Sequence, residues 1–261
     1  MPVLRSIVHM DLDTFFVSCE RLLDSRLNYK PILIGGTSDR GVVASCSYEA
    51  RKFGIHSAMP MRMAKQRCPE AIVIKGNSST YTKYSRMVTD IIKEASPLYE
   101  KSSIDEFYID FTGMDRFHGV LKYSSELRQR ILKETGLPIS FGLSENKTVS
   151  KIATGEAKPD NQIQINYGNE KNFLSPLSVR KIPMVGLKTY QSLCNLGIRT
   201  IKPIQEMPVE MMERIMGKNG VGIWKKANGI DLTPVVQHNE RKSISTERTF
   251  NQDTTDIVRL K

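Results

Sequence analysis

Two acids, Asp105 and Glu106, stand side by side in "SSIDEFYIDFTG" (residues 102–113), a stretch that otherwise reads as buried strand. Adjacent carboxylates cost free energy wherever water is scarce, so they either face solvent at a turn or share a cation. A second acidic pair, Asp11 and Asp13, alternates with Met10 and Leu12 in "VHMDLD". On a strand that spacing puts both acids on one face and the apolar residues on the other. If the two segments are neighbouring strands, Asp11 comes close to Asp105 and Glu106, and three carboxylates converge. All-oxygen sites of this kind select hard ions, Mg²⁺ or Mn²⁺, with substrate phosphates and water completing the shell. Two such ions about 3.5–4 Å apart activate an attacking oxygen and stabilise a leaving one in phosphoryl transfer. The backbone carbonyl of Leu12 is a candidate further ligand. The plainer alternative is a solvated acidic turn.

Basic residues with helical spacing accompany the acids. In "SYEARKFG" Tyr48, Arg51 and Lys52 fall three and four apart and share a helix face. In "SENKTVSKIATGEAKP" Lys147, Lys151 and Lys158 form one stripe of a helix. An arginine fork with a tyrosine hydroxyl and a lysine suits a triphosphate, although either stripe alone is also what a solvated helix face presents.

The elements that must position these groups follow from periodicity. "SIVHMDLD" reads as a strand, followed by a helix over "TFFVSCERLLDSRL" with Asp13 as N-cap and Phe15, Phe16, Cys19, Leu22 and Leu23 at helical spacing. "KPILIGG" and "GVVASCS" are short strands around the polar "TSDR"; "YEARKFG" and "PMRMAKQRCP" are short helices, the first ended by Gly54, the second set between Pro60 and Pro69. A longer amphipathic helix, carrying Tyr84, Met87, Val88, Ile91 and Ile92, leads into an antiparallel hairpin whose tight connection holds Asp105 and Glu106. A helix over "GVLKYSSELRQRILKETG" and the strand "PISFGLS" complete the order β-α-β-β-α-β, with an insertion after the first element. That order predicts an α/β (α+β) fold with a split βαβ, ferredoxin-like sheet covered by helices. From Phe173 onward only short helices separated by Pro and Gly are expected, and the segment from Thr233 is polar with no clear closing element.

Composition narrows the class. The chain has 261 residues, 38 Lys and Arg against 28 Asp and Glu, and a net charge of +10, which favours a polyanionic partner. Cys19, Cys46, Cys68 and Cys194 are scattered and form no CxxC, and no histidine stands at metal spacing to them, which argues against a zinc site and a disulfide framework. No apolar run approaches a membrane span and the start has no long apolar signal core, so the cytoplasm and no membrane association are expected.

The segments "VHMDLDTFFVSCE", "VVASCSYEARKFGIHSAMP", "YEKSSIDEFYID", "SFGLSENKTVSKIATGEAKP" and "RKSISTERTF", in this order, resemble the Y-family translesion DNA polymerases, above all their bacterial DNA polymerase IV branch. The resemblance implies a right-hand core: palm in residues 1–14 and 78–167, fingers in 15–77, an all-α thumb with a helix-hairpin-helix in 168–233, and a linker in 234–261 toward a little-finger domain that the sequence does not contain. It implies that Asp11, Asp105 and Glu106, with the Leu12 carbonyl, hold two Mg²⁺ ions, Mn²⁺ being a substitute. Ser45, Tyr48, Arg51 and Lys158 then contact the incoming nucleotide, Phe16 is the steric gate against a ribose 2′ hydroxyl, and Val42 and Ala44 form the roof over the nascent base pair. In "IPMVGLKTYQSLCNLGIRTI" the hairpin would offer Gly186, Lys188 and Thr189 to a DNA phosphate, but Met184 stands where glycine is usual, a departure that would displace the first amide. "KPDNQ" likewise lacks a glycine common after the family's KP. Primer–template DNA and dNTPs are the implied partners of a monomer. Without a little finger, DNA binding would be weak and salt-sensitive, processivity low, and a sliding clamp reachable only through the missing part.

The expected activity is therefore low-fidelity, template-directed DNA synthesis. A transferase that inserts mainly one nucleotide, of deoxycytidyl type, is the nearest alternative. A DNA-binding or scaffolding module of the same fold without catalysis is a second, and a palm-type nucleotide cyclase a third, disfavoured by the hairpin motif and the basic charge.

Overall fold

The computed structural model describes residues 4–114, 119–237, 243–247, 250 and 253–257, so part of "RKSISTERTF" and of the 234–261 linker lies outside the described residues. Along the chain, β1 (Ile7–Leu12) leads to α1 (Phe15–Leu23), β2 (Ile32–Gly35), β3 (Val43–Cys46), α2 (Tyr48–Arg51), α3 (Met61–Arg67) and β4 (Ile72–Ile74). The long α4 (Ser78–Ala95) precedes β5 (Tyr99–Lys101), β6 (Glu106–Asp110), α5 (Val120–Thr135), β7 (Ile139–Ser144), α6 (Lys147–Ala157) and β8 (Gln162–Gln164). Short helices follow: α7 (Glu170–Leu174), α8 (Leu187–Asn195), α9 (Lys202–Glu206), α10 (Val209–Met216) and α11 (Lys218–Ala227). Among the described residues no helix is long and apolar enough to cross a membrane. The chain divides into two compact units, Met1–Asp13 with Ser85–His238 and Thr14–Tyr84 with Asn239–Lys261.

The first unit is built on a five-stranded sheet of order β5-β6-β1-β7-β8. Its first four strands are mutually antiparallel neighbours, which is the split βαβ order expected from the sequence; β8 adds a parallel strand beside β7. Every residue of β7 is buried, with α5 and α6 both packed on it. The close approach of α6 depends on Gly142. A Cβ built there would lie 2.3 Å from the Ser150 carbonyl oxygen and 2.6 Å from the Ala153 Cβ. The same helix contributes Val149 and Ile152 to a core completed by Leu174, Val179, Leu193 and Met212, so the small C-terminal helices have no separate core.

The second unit holds a three-stranded sheet of order β3-β2-β4. β2 and β3 are antiparallel with a register shift at Ile34/Gly35, while β4, which the sequence did not reveal, pairs parallel with β2. Its core is Leu33, Val43, Cys46, Ile55, Met61 and Ala64.

Three local expectations need correction. Asp13 does not cap α1: the N-cap is Thr14, left-handed at φ 41 and without a side-chain cap bond. The Asp13 carboxylate instead accepts from the Ser140 hydroxyl and the Asp160 N–H, both at 2.8 Å, and its own N–H donates to the Pro138 carbonyl. The α1 stripe also stops early, because Phe15, Val17, Ser18 and Cys19 are buried whereas Leu22 and Leu23 are exposed. On α4 the buried positions are Tyr81, Ser85, Val88, Ile91 and Ile92, which leaves Met87 on the exposed side.

Candidate active site

β1 and β6 set two of the acids face to face. Asp11 and Glu106 are register partners across the β1–β6 ladder, and Asp105 precedes Glu106 in the turn that joins β5 to β6. The Leu12 N–H donates to the Asp105 carbonyl at 3.1 Å, which ties that turn to the end of β1. The turn is also built from within: the Ser103 hydroxyl donates to Asp105 Oδ1 at 2.5 Å and accepts the Glu106 N–H at 3.1 Å. From below, the Ser85 hydroxyl donates to the Ile104 carbonyl, while Lys101 Nζ donates to Ser85 Oγ at 2.7 Å and to Thr89 Oγ1 at 2.8 Å.

The lysine stripe of α6 meets carboxylates rather than solvent. Lys147 Nζ lies 2.7 Å from both oxygens of Glu100, and Lys151 Nζ 2.6 Å from both oxygens of Glu106. Lys158, the C-cap of α6, reaches Asp11 Oδ1 at 2.5 Å and Asp13 Oδ1 at 3.9 Å. With each acid turned to its own donor, no three Asp, Glu, His or Cys side chains among the described residues close up as a metal cage. The strands and the turn thus bring the backbones of the three acids together, while Lys158 draws off the Asp11 side chain, Lys151 that of Glu106 and the Ser103 hydroxyl that of Asp105.

Burial and charge split the acids. Burial pushes the Asp11 carboxyl up to about 6 against the pull of Lys158, and the neighbouring Glu106 and Asp105 charges add to the rise. Glu106 is drawn down to about 2 by the His9 ring facing it, with burial opposing and Lys151 reinforcing the effect. His9 itself, lowered to about 4 by burial, is neutral at physiological pH. The distance from His9 Nε2 to Glu106 Oε2 is 3.9 Å, long for a hydrogen bond.

In the second unit Tyr48 and Arg51 lie on α2, whose N-cap Ser47 accepts the Ala50 N–H. The Arg51 guanidinium sits 5.0 Å over the Tyr48 ring, which pre-orients the fork. Ser45, half-buried on β3, pairs with Ile34, while Val42 and Ala44 are exposed. Phe15 is buried; Phe16 is only half-buried and stacks on Tyr81, with centroids 4.4 Å apart and planes 16° from parallel. The Tyr81 hydroxyl is fixed in turn by Glu20 Oε1 at 2.6 Å.

Among the C-terminal helices, Gly186 is the N-cap of α8, and Lys188 and Thr189 fall in its first turn, where backbone N–H groups have no intrahelical partner. Met184, 90 % exposed, takes φ 77. It adopts the left-handed conformation a glycine would take without strain, so the turn into α8 is made without one. Asp160, at φ 47, does the same after Lys158-Pro159.

Two participants were not singled out from the sequence as site residues. His9 stands two before Asp11 and therefore on the same strand face, the spacing by which the sequence can place it beside the acids. Tyr81 opens the buried stripe of α4 and could have been found from that spacing.

Comparison with known proteins adds to this geometry. The sequence profile of the impB/mucB/samB family matches residues 10–155. The chain is 42 % identical over 253 residues to DNA polymerase IV of Dehalococcoides mccartyi, covering 96 % of this chain and 65 % of that protein. It is 36 % identical over 261 residues to DNA polymerase IV 2 of Methanosarcina mazei, covering 98 % and 71 %. The chain thus spans somewhat less than two thirds of the length of the first of these relatives. Among solved structures, DinB from Sulfolobus solfataricus superposes with a TM-score of 0.81 at 28 % identity, covering 88 % of this chain and 69 % of that one. An insertion ternary complex of Dbh DNA polymerase gives 0.78 at 27 % identity, with the same coverage.

Proposed function

The chain belongs to the impB/mucB/samB family, that of the Y-family polymerases, and on that premise we propose that it is a template-directed DNA polymerase of the translesion type. The observation that carries the reading is the Asp11–Glu106 register pair, with Asp105 in the adjoining turn and Lys158 and Lys151 on the two paired acids. The donors suit hard divalent cations: they are carboxylate and carbonyl oxygens with no soft ligand among them, and a cation would favour ionisation of the buried Asp11. Bound there, two Mg²⁺ ions, or Mn²⁺ in their place, would acidify the primer 3′ hydroxyl and offset the charge of the departing pyrophosphate.

The chain's own residues do the rest. Asp11, Asp105 and Glu106, with the Leu12 carbonyl, would hold these ions, Glu106 on the side of the attacking hydroxyl and the Leu12 carbonyl on the side of the nucleotide. Tyr48, Arg51 and Lys158 hold the triphosphate, with Ser45 contributing a hydroxyl. Phe16 excludes a ribose 2′ hydroxyl. Val42 and Ala44 roof the nascent pair loosely, so discrimination by shape is weak and fidelity low. Gly186, Lys188 and Thr189 take a DNA phosphate without reading sequence. In this assignment residues 1–14 and 78–167 are palm, 15–77 fingers, 168–233 thumb and 234–261 a linker, and the protein works on primer–template DNA and dNTPs as a cytoplasmic monomer. An intact acid set speaks against a non-catalytic module, which needs none of it.

Asp105→Asn and Glu106→Gln test the assignment. Each should lower primer extension by roughly two orders of magnitude or more while leaving DNA affinity in filter or anisotropy assays nearly unchanged. Parallel loss of both would make the acids structural.

A further inference from the structure

The His9 side chain is 1 % exposed and lies on the Asp11 face of β1, under α6. Its Nδ1 is 2.9 Å from Thr154 Oγ1, and the Tyr108 ring packs against the imidazole with centroids 4.6 Å apart. Its Nε2 is buried, has no hydrogen-bond partner and faces Glu106 Oε2 at 3.9 Å. A histidine that merely filled this space would gain nothing from a ring nitrogen aimed at a carboxylate in a dry interior, since an unpaired buried polar atom is costly.

A neutral imidazole carries one N–H, and Thr154 can bond Nδ1 in two arrangements, the first of which gives its hydroxyl one hydrogen bond more. With the proton on Nδ1, the ring donates to Thr154 Oγ1, and the hydroxyl donates to the His9 or Ser150 carbonyl, at 2.8 and 2.9 Å. The Nε2 lone pair would then face the Glu106 charge. With the proton on Nε2, the Thr154 hydroxyl donates to Nδ1 and an N–H dipole faces the carboxylate. Charge decides for the second arrangement, because the nearby anion repels a lone pair and attracts an N–H.

We propose that His9 is a positioning residue for Glu106: its Nε2–H faces Oε2 across 3.9 Å from the buried side and attracts it electrostatically, while Lys151 holds the carboxylate from the helix side. Glu106 is thereby kept in one orientation toward a divalent cation. This rests on the reading of Glu106 as a metal ligand. Groups that hydrogen-bond a ligating side chain typically change metal affinity by about 10- to 100-fold when removed; across 3.9 Å, beyond hydrogen-bond length, the lower end of that range is expected of His9.

The first test needs no metal. Long-range ¹H–¹⁵N spectra of the ¹⁵N-labelled chain, with the His9 signals assigned through His9→Gln, should show a neutral ring protonated on Nε2; protonation on Nδ1 in the wild type would overturn the proposal. The second is Mn²⁺ binding followed by electron paramagnetic resonance. His9→Phe should weaken it by about tenfold, and His9→Gln, which returns an N–H near the Nε2 position, should restore most of the loss. Wild-type Mn²⁺ affinity in His9→Phe would refute the positioning role. An Mn²⁺ affinity that Glu106→Gln leaves unchanged would instead remove the metal reading itself, and with it the role of His9, whatever the tautomer.

Discussion

At the scale of single residues, the site is governed by how differently its acids ionise. Asp11, its side chain 18 % exposed, has its carboxyl raised by burial from the ordinary carboxylate range to about 6. A raised carboxyl contributes stability that is complete below the unfolded value, near 4, and is lost as pH rises through about 6. Linkage over the interval from about pH 4, where the unfolded carboxyl is already partly ionised, to about pH 7.5 amounts to about 2 kcal/mol, so in EDTA the wild type should lose about that much relative to Asp11→Asn. Urea melts of both proteins at the two pH values measure it; a gap independent of pH would contradict the assignment. Phe16 is the other residue with a specific consequence. Phe16→Ala should admit ribonucleotides, with the ratio of dNTP to rNTP incorporation falling at least about tenfold, and unchanged sugar discrimination would remove the gate. The acids were legible because adjacent and alternating carboxylates are expensive and therefore informative. Lys151 as a partner of Glu106 was not, because a stripe of lysines looks the same whether it meets solvent or carboxylates.

At the scale of elements, α6 is the piece on which the site depends. It carries Lys151 and Thr154 and ends at Lys158, and it reaches the sheet only because residue 142 has no side chain. Gly142→Ala should destabilise the protein by about 2–3 kcal/mol through overpacking, with extension activity falling as the helix is displaced. Thermal melts and extension assays check this, and an unaffected melting temperature would mean that α6 tolerates being lifted. The helices and long strands were readable from period and from Pro and Gly punctuation. β4 and β8 were not, since three residues are too few to establish alternation. The Asp13 cap failed for a tertiary reason: its carboxylate joins β7 and the Asp160 turn, partners more than a hundred residues away that no local rule contains.

At the scale of the whole molecule, the charge of +10 accords with the polyanionic substrate proposed above. Membership was legible from five ordered segments. The sequence separates a helical region from Phe173 onward, yet its apolar residues share a core with α6, a contact that composition cannot disclose. The central claim, that the paired acids support templated nucleotide addition, is tested most directly by single-nucleotide primer extension. A recessed primer–template at low salt and excess protein is offered each dNTP in turn, with Mg²⁺ or with EDTA. Addition that follows the templating base and disappears in EDTA is the predicted result. Addition that ignores the template, or that persists in EDTA, would contradict the account.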